Sequence, residues 1–493
     1  ALPHGTTAIF TEPDELANVL GFKGVKLFAE EVRRLPLRVY VQVPLTCPQD
    51  PAFEMTHPLA VREVGEALGW DDVVGLGEAV SWPRVLSLDK DYFTKFKHAL
   101  ELRKRIEGHT AGAKNNKLAA YVSAGIFSCH EPINSEQVIE RLRLGMFVML
   151  REGSLRRDLA EILPPLLKAD VNASRMAFGT DLIDPPDLTK QGYMDFIVRN
   201  AIGLGLDPVR AIQMATINPA QYFRLDNDIG GIAPGRFADM TLIDDLGKVD
   251  VQLTISGGKV VAKDGKMLEA TPRFVYPRIA SKSIHVRRKL RPQDFVIKPP
   301  HSKKGDKVRV VVAKFVTEAI NRQVVEEIPV VKGEVPCVPE RDIMKVAVID
   351  RHWKSSRKSL GFIQGFKAKI GALSSSLNFD QNNIVVIGFS DADMAAAANK
   401  VIDMDGGIAM ARGGKVVDYL PMPIAGVMSS QPMTEVAEKM EKMSNFLKEA
   451  GCEFEKPLNT LLFLTFVTLP EIRITDRGLV DVKNHKFISL FPD

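Results

Sequence analysis

The sequence predicts an α/β protein: a (β/α)8 barrel followed by a small β-sandwich domain and a C-terminal α+β domain. Up to about residue 215, short apolar runs alternate with amphipathic helical patterns, as in a parallel sheet with helical crossovers. After Asn218 the sequence becomes rich in turns and short strand patterns, and in the last third strands and helices mix. With 493 residues the chain is too long for one core, so several domains are expected.

Seven apolar runs of the first region have the length of buried strands, and we expect the eighth from residues upstream of Ala1. The runs cover residues 7–10, 38–43, 73–76, 104–106, 125–128, 146–150 and 175–178. Helices are predicted between them at residues 58–68, 91–103, 135–144 and 155–167. Such crossovers most commonly close into a (β/α)8 barrel. Because the first run starts at once and residue 1 is not Met, we expect the sequence to be truncated or processed at its start.

The later regions carry shorter elements. A bend at residues 230–239 leads into strands at 240–243, 252–255 and 259–262, and residues 263–266 (Lys-Asp-Gly-Lys) are typical of a hairpin. In the last region we expect strands at 307–312, 345–349 and 384–387 and an amphipathic helix at 433–450. The predicted domains are the barrel (1–218), the small β domain (219–275), a basic linker (276–306) and the C-terminal domain (307–493).

Composition excludes several classes of protein. Hydrophobic residues make up 45% and charged residues 26%, as in ordinary soluble globular proteins, and no apolar stretch reaches the roughly 18 residues that span a bilayer. Four scattered cysteines and the absence of a secretory signal pattern favour a reducing, cytoplasmic setting. A net charge of +4 does not indicate nucleic acid. No Gly-rich phosphate loop occurs, which argues against nucleoside triphosphate or dinucleotide cofactors. A basic segment lacks interleaved aromatic residues and is interpreted as a solvated linker; its cations include Arg287, Arg288, Lys289, Arg291, Lys303 and Lys304.

Four potential metal ligands end four successive apolar runs: Glu78, His109, His130 and Asp181. Two carboxylates and two imidazoles suit Mn, Fe or Zn that activates water. A (β/α)8 barrel builds its active site at the carboxyl ends of its strands. Singly, such residues are more often core histidines, turns or helix caps. Their recurrence at consecutive strand ends favours a shared metal site in a hydrolase.

Longer motifs add a resemblance. Residues 231–239 (Gly-Ile-Ala-Pro-Gly-Arg-Phe-Ala-Asp), followed by an apolar strand, resemble the small β domain of the amidohydrolase superfamily. Within it, the whole chain is most similar to bacterial and archaeal adenine deaminases. The supporting segments include Pro3-His4-Gly5-Thr6-Thr7, Gly77-Glu78, Gly108-His109, Cys129-His130-Glu131, Thr180-Asp181, residues 348–352 (Val-Ile-Asp-Arg-His) and residues 421–426 (Pro-Met-Pro-Ile-Ala-Gly).

The resemblance implies a barrel of amidohydrolase type that converts adenine and water into hypoxanthine and ammonia, in purine salvage or catabolism. It implies a divalent metal cofactor, expected as binuclear Mn, with Fe or Zn as alternatives. Glu78 would bridge the metals, His109 and His130 would hold one of them, and Asp181 the other. Asp181 would also take the proton of the attacking hydroxide and help deliver it to the leaving amine.

Further site residues follow from the same resemblance. Glu131 or Glu152 would protonate the purine ring, and Arg151 and Ser154 would contact the base, although Arg151 is equally an ion-pair partner at the barrel rim. Glu152 and Asp380 complete the candidate substrate contacts. The expected partner is a small purine, without nucleic acid or membrane, and the chain's size and domain layout favour a homodimer.

The chain departs from the family pattern in motifs expected near the site. The His-x-His pair that ends the first barrel strand does not occur, and we expect it upstream of Leu2. Asp-Pro-His-Glu is replaced by residues 12–15, with Asp14 for His, and His-Asp-Ser-His by residues 379–382, with Phe379 and Asn382 for the histidines. Leu182 stands for the second Asp of Thr-Asp-Asp. Two alternatives therefore stay open: a catalytically impaired paralogue with a binding or regulatory role, and an amidohydrolase acting on another cyclic amide or aminopurine. We expect little activity from this sequence without the histidine pair.

Overall fold

The structure, a computed structural model, describes residues 1–300, 307–355 and 357–492. The chain divides into two compact units, and both are discontinuous in sequence. The first unit comprises residues 1–13, 25–46 and 59–274; the second comprises residues 14–24, 47–58 and 275–493. Lys303 and Lys304 of the predicted basic segment lie outside the described residues. The predicted domain bounds, drawn as continuous stretches, stay predictions.

Parallel strands form the centre of the first unit. Strands β1 to β7 are Ala8–Thr11, Arg38–Val43, Val73–Ala79, Arg105–Gly108, Ser128–Cys129, Phe147–Arg151 and Met176–Gly179. They form two sheets, β1-β2-β3-β4 and β5-β6-β7, in which every neighbouring pair is parallel. Each strand overlaps a predicted apolar run. The alternation of strands and helices therefore confirms the predicted α/β fold with parallel strands for the first unit.

The fifth strand is shorter than predicted. Residues 125–128 were expected to form it, but Gly125 has φ +94°, a left-handed conformation that a strand does not accommodate. At the neighbouring strand end, Gly108 N donates to Ser128 Oγ at 3.0 Å. A Cβ at Gly108 would lie 2.3 Å from the backbone oxygen of Ser128, so only glycine allows this approach. The close contact brings the end of β4 against β5, although the two strands belong to different sheets.

Helices follow most strands of the first region, and polar side chains cap the start of some of them. Helices α1 to α12 are Asp14–Leu20, Phe22–Val32, Val61–Leu68, Trp82–Leu86, Lys90–Glu101, Asn115–Ser123, Ser135–Arg143, Leu159–Lys168, Pro185–Lys190, Met194–Gly203, Pro208–Ala215 and Ile217–Tyr222. Asp89 caps α5 and Asn134 caps α7. The helix predicted at 155–167 begins only at Leu159, whose N–H donates to the Glu152 carboxylate at 3.3 Å. Within the described ranges, no helix is long and apolar enough to cross a membrane.

The small β region differs from the predicted sandwich. Its strands β8 to β11 are Met240–Ile243, Val251–Ser256, Lys259–Lys263 and Lys266–Met267. Among the described residues they form one antiparallel sheet in the order β11-β10-β9-β8. The start of the chain lies on this sheet: Thr254 Oγ1 donates to the oxygen of Leu2 at 2.7 Å, and Leu2 is buried. The 3-10 turn Leu2–His4 thus packs against this sheet.

The second unit is rich in β structure and confirms the predicted mixture of strands and helices. Strands β12 to β19 are Lys307–Phe315, Asn321–Pro329, Ile343–Ile349, Lys358–Gln364, Ala372–Ser375, Ile384–Gly388, Gly407–Arg412 and Lys415–Pro421. They form one sheet in the order β13-β12-β15-β14-β17-β16-β18-β19. Strands β20 to β22, a separate antiparallel sheet, are Ile472–Thr475, Gly478–Asp481 and Lys486–Ile488.

Helices cover both faces of the large sheet. Helices α13 to α16 are Arg278–Ser281, Asp391–Asp403, Met433–Glu449 and Thr460–Phe463. Val346 packs in the same core cluster as Met440 and Met443 of α15. The next residue, Ala347, packs with Met394 of α14 in another cluster, because successive side chains of a strand point to opposite faces. Met440 and Met443 of α15 are therefore core residues.

Candidate active site

The four predicted ligands come together at the carboxyl ends of neighbouring parallel strands. Glu78 is the last residue but one of β3, so it lies within the strand rather than after it. His109 follows β4 directly, His130 follows β5, and Asp181 lies two residues beyond β7 with φ +60°. Glu78 and His109 therefore lie at one edge of the first sheet, and His130 and Asp181 lie at one edge of the second. The contact between Gly108 and Ser128 brings the two edges together.

Glu78, His109 and His130 form the tighter part of this cluster. Glu78 Oε2 lies 3.0 Å from His109 Nδ1 and 3.2 Å from His130 Nε2. The three atoms that could bind a metal, one from each side chain, all lie within 4.8 Å of one another. Two ligands about 2.1 Å from one tetrahedral Zn²⁺ would be roughly 3.4 Å apart, so the observed separations suit ligands of a single cation.

A second group joins His130 to Glu131 and Asp181, whose donor atoms also lie within 4.8 Å of one another. Glu131 Oε1 is 3.3 Å from His130 Nε2 and 3.7 Å from His109 Nδ1. Arg151, the last residue of β6, is buried and donates through Nη1 both to Glu131 and to Asp181 Oδ2, the latter at 3.0 Å. The guanidinium therefore fixes the two carboxylates relative to each other.

The electrostatics of the cluster favour bound positive charge. Burial lowers the pKa of His130, but Glu78, Glu131 and Asp181 outweigh it and raise this pKa to about 10. The pKa of His109 is raised for the same reason, by Glu131 and Glu78 against the effect of burial. Burial raises the pKa of Glu131, but the two imidazoles and Arg151 hold it well below its usual value. The carboxylates thus favour positive charge on both imidazoles, and a divalent cation would supply that charge instead.

Two residues that the sequence reasoning missed hold the ligands in place. The Tyr121 hydroxyl, fully buried, accepts from His109 N at 3.0 Å and donates to the oxygen of Ala79 at 2.8 Å. Glu12, just after β1, accepts from Glu78 N at 3.0 Å. A Cβ at Gly77 would lie 1.6 Å from Glu12 Oε1, so glycine at 77 makes room for this carboxylate. The position of Glu12 after a predicted strand was a usable signal; Tyr121, inside a helix, offered none.

A buried polar network underlies the two histidines. Glu107 accepts from Ser128 Oγ at 2.7 Å and from the Tyr222 hydroxyl at 2.9 Å. Burial raises the pKa of Glu107 to about 7, although both hydrogen bonds lower it. The network links β4 to β5 two residues before each histidine and so restricts where the imidazoles can lie.

The remaining predicted site residues make contacts within the protein. Glu152 accepts from Asn200 Nδ2 at 3.3 Å as well as from the start of α8. Ser154 is buried, donates to Asp187 Oδ2 at 2.6 Å and accepts from Asp184 N at 2.7 Å. Asp380 is buried in the second unit. Contacts of these residues with a substrate stay predictions.

Comparison with known proteins gives matches along nearly the whole chain. The amidohydrolase family model matches residues 1–261, and the adenine deaminase C-terminal domain model matches residues 318–486. Adenine deaminase of Cenarchaeum symbiosum is 42% identical over 488 residues, which is 99% of this chain and 79% of the relative. Adenine deaminases of Moorella thermoacetica and Rubrobacter xylanophilus are 40% and 37% identical, again over 99% of this chain and over 82% and 81% of the relatives.

Proposed function

This chain belongs to the adenine deaminase family of the amidohydrolase superfamily, and on that premise we propose that it converts adenine and water into hypoxanthine and ammonia. The observation that carries the proposal is the convergence of Glu78, His109, His130 and Asp181 at the carboxyl ends of adjacent strands. We propose further that the two parallel sheets are arcs of one (β/α)8 barrel, which the contact between Gly108 and Ser128 supports.

The donor set fits a divalent metal. Glu78, His109 and His130 would hold one cation, and Asp181 with Glu78 a second, with Mn as the first candidate and Fe or Zn as alternatives. A bound divalent cation supplies the Lewis acidity that makes water a nucleophile near neutral pH. The protein supports it with Tyr121 and Glu12, which fix the backbone at His109 and Glu78.

The protein's own groups would handle the protons of the reaction. Asp181, oriented by Arg151, would accept the proton of the attacking water and pass it to the leaving amine. Glu131, ionised beside Arg151, would accept the other proton of that water and deliver it to a ring nitrogen of the purine. We keep Arg151, Glu152, Ser154 and Asp380 as proposed substrate contacts, and a homodimer as the proposed assembly, which light scattering after size-exclusion chromatography would test.

The test is ammonia release from adenine by the complete chain as its gene encodes it, reconstituted with Mn²⁺. Glu78→Gln, His109→Ala and Asp181→Asn should each lower kcat/KM by about a thousandfold or more, and the first two should also lower the bound metal measured by mass spectrometry. His98→Ala, on helix α5 of the same unit, is the matched control and should change neither quantity.

Each other outcome decides against part of the proposal. Metal bound without turnover of adenine would reject adenine as the substrate and favour another cyclic amide or aminopurine. Neither metal nor turnover would reject the enzyme and favour a binding or regulatory protein on the same fold. Turnover that survives Asp181→Asn would reject the proton transfer assigned to Asp181.

A further inference from the structure

A cavity of about 490 Å³ lies in the first unit at the amino-terminal ends of the strands. Arg103, Lys104 and Arg105, which lead into β4, line it together with Arg224, which follows α12. The candidate ligand His109 follows the other end of β4, about four residues or roughly 13 Å along the strand from Arg105. The cavity is therefore separate from the metal-ligand cluster.

Four cations line this cavity without an ion pair. Arg224 Nη1 donates to the oxygen of Arg103 at 2.8 Å, and Lys104 Nζ donates to the oxygen of Trp70 at 3.2 Å. Arg105 donates to the oxygen of Tyr222 and lies over its ring. In the part of the chain that the structure describes, none of the four pairs with a carboxylate. Burial lowers the pKa of Arg105, and the charges of Arg224 and Arg175 lower it further, against Tyr222 and Glu107, which raise it.

Two of the acids that act on Lys104 and Arg105 already have other partners. Burial lowers the pKa of Lys104, whereas Asp71 and Asp72 raise it, and Asp72 already forms a two-bond pair with Arg33, at 2.7 and 2.8 Å. Glu107 acts on Arg105 from inside the unit, where Ser128 and Tyr222 donate to it. The cavity thus presents excess positive charge to whatever enters it.

The same cavity also offers apolar surface. Phe127 and Leu100 line it with exposed fractions of 39% and 49%, although both are large hydrophobic side chains. An aromatic ring beside several cations suits a ligand that joins a flat base to a phosphate, since bases stack on aromatic faces and phosphates pair with arginine. A volume of about 490 Å³ lies in the usual range for small-molecule sites.

We propose that this cavity binds a nucleoside monophosphate, with its phosphate on Arg103, Arg105 and Arg224 and its base against Phe127 and Leu100. The cavity volume favours a single nucleotide over a nucleic acid strand. The proposal is independent of the reaction at the metal cluster, because the residues that carry it lie at the opposite strand ends.

The test is calorimetric titration of the complete chain with cytidine 5′-monophosphate, a nucleotide without the adenine ring proposed for the active site. Cytidine and inorganic phosphate are titrated in parallel. We expect saturable binding of one nucleotide per chain, at least about tenfold tighter than either part alone, with affinity that falls as salt rises.

Variants connect the binding to the cavity. Arg103→Gln combined with Arg224→Gln should raise Kd by about tenfold to a hundredfold, since each loses a charge-assisted contact. Phe127→Ser should raise Kd by about fivefold or more. Lys97→Gln removes an exposed cation from neighbouring helix α5 and should leave Kd unchanged. All variants should keep the wild-type melting temperature, since the replaced side chains are exposed.

Several results would overturn the proposal. One is an absence of saturable nucleotide binding. Another is an equal Kd for the wild type and the double variant. Inorganic phosphate bound as tightly as the nucleotide would reduce the cavity to a simple anion site. Tighter binding of oligocytidylate than of the monophosphate would reject a single nucleotide and indicate a nucleic acid surface.

Discussion

Replacing Tyr121 by phenylalanine removes one hydroxyl and leaves the ring in place. That hydroxyl, fully buried, is the partner of two backbone groups: it accepts from His109 N at 3.0 Å and donates to the oxygen of Ala79 at 2.8 Å. Phenylalanine fills the same volume, so no large cavity forms. The variant therefore isolates the effect of leaving a buried N–H and a buried carbonyl without partners.

The magnitude follows from those two groups. A buried polar group left unpaired costs about 1–3 kcal/mol, and part of this is offset because the hydroxyl itself no longer needs to be desolvated. We expect the free energy of unfolding of the first unit to fall by about 2–4 kcal/mol. Because the His109 backbone loses its anchor, we also expect metal affinity to fall by about tenfold to a hundredfold, as for other changes behind a ligand.

The assay is urea unfolding followed by tryptophan fluorescence, to which Trp70 and Trp82 of the first unit contribute. Tyr419→Phe, at an exposed tyrosine of the second unit, is the control and should change stability by less than about 0.5 kcal/mol. An unchanged unfolding midpoint together with unchanged metal affinity in Tyr121→Phe would refute the assignment of both hydrogen bonds to this hydroxyl.

Three further predictions concern other parts of the molecule. Gly77→Ala should displace the Glu12 carboxylate, because the added Cβ would lie 1.6 Å from it. In thermal melts the variant should be about 1–3 kcal/mol less stable, and its metal content should be lower. The control Gly203→Ala, where nothing lies within 4 Å of the added Cβ, should be neutral or slightly stabilising in the same melts. Burial raises the pKa of Glu54 from 4.5 to about 8, so the folded state binds this proton more tightly, and stability relative to Glu54→Gln should fall as pH rises from 4.5 to 8; parallel pH profiles of the two proteins would contradict this. Metal at a hundred times its Kd should stabilise the folded protein by about 2.7 kcal/mol. Removing the metal with a chelator should therefore lower the melting temperature, and this decrease should be absent in Glu78→Gln.

The strands and the main ligands could be predicted because local pattern determines both. Residues 38–43 were predicted as a strand and form Arg38–Val43, since buried parallel strands are short apolar runs. His109 and His130 could be assigned to one site because the carboxyl ends of the strands meet at one face of a (β/α)8 barrel, the fold that the sequence predicts. The fifth strand was misplaced because the left-handed conformation of Gly125 depends on the turn it makes.

Contacts between distant residues could not be predicted in this way. Arg151 meets Glu131 and Asp181, which lie 20 and 30 residues away, and a single sequence does not show which carboxylates face it. The division into two units was missed for the same reason. Residues 47–58 look like an ordinary loop, but Met55 accepts from Trp353 Nε1, 298 residues later.

That discontinuous connectivity has a consequence for how the chain is made. Asp50 pairs with His485 at 2.7 Å, and Ala52 accepts from Arg477 at 2.6 Å; these partners lie 435 and 425 residues further along. At about 5–20 residues per second, a ribosome needs roughly 20–90 s to synthesise that stretch. During this time residues 47–58 have left the ribosome but their partners do not yet exist. The second unit therefore completes its fold only after Arg477 and His485 have been synthesised, and a nascent chain stalled before Arg477 cannot form these bonds.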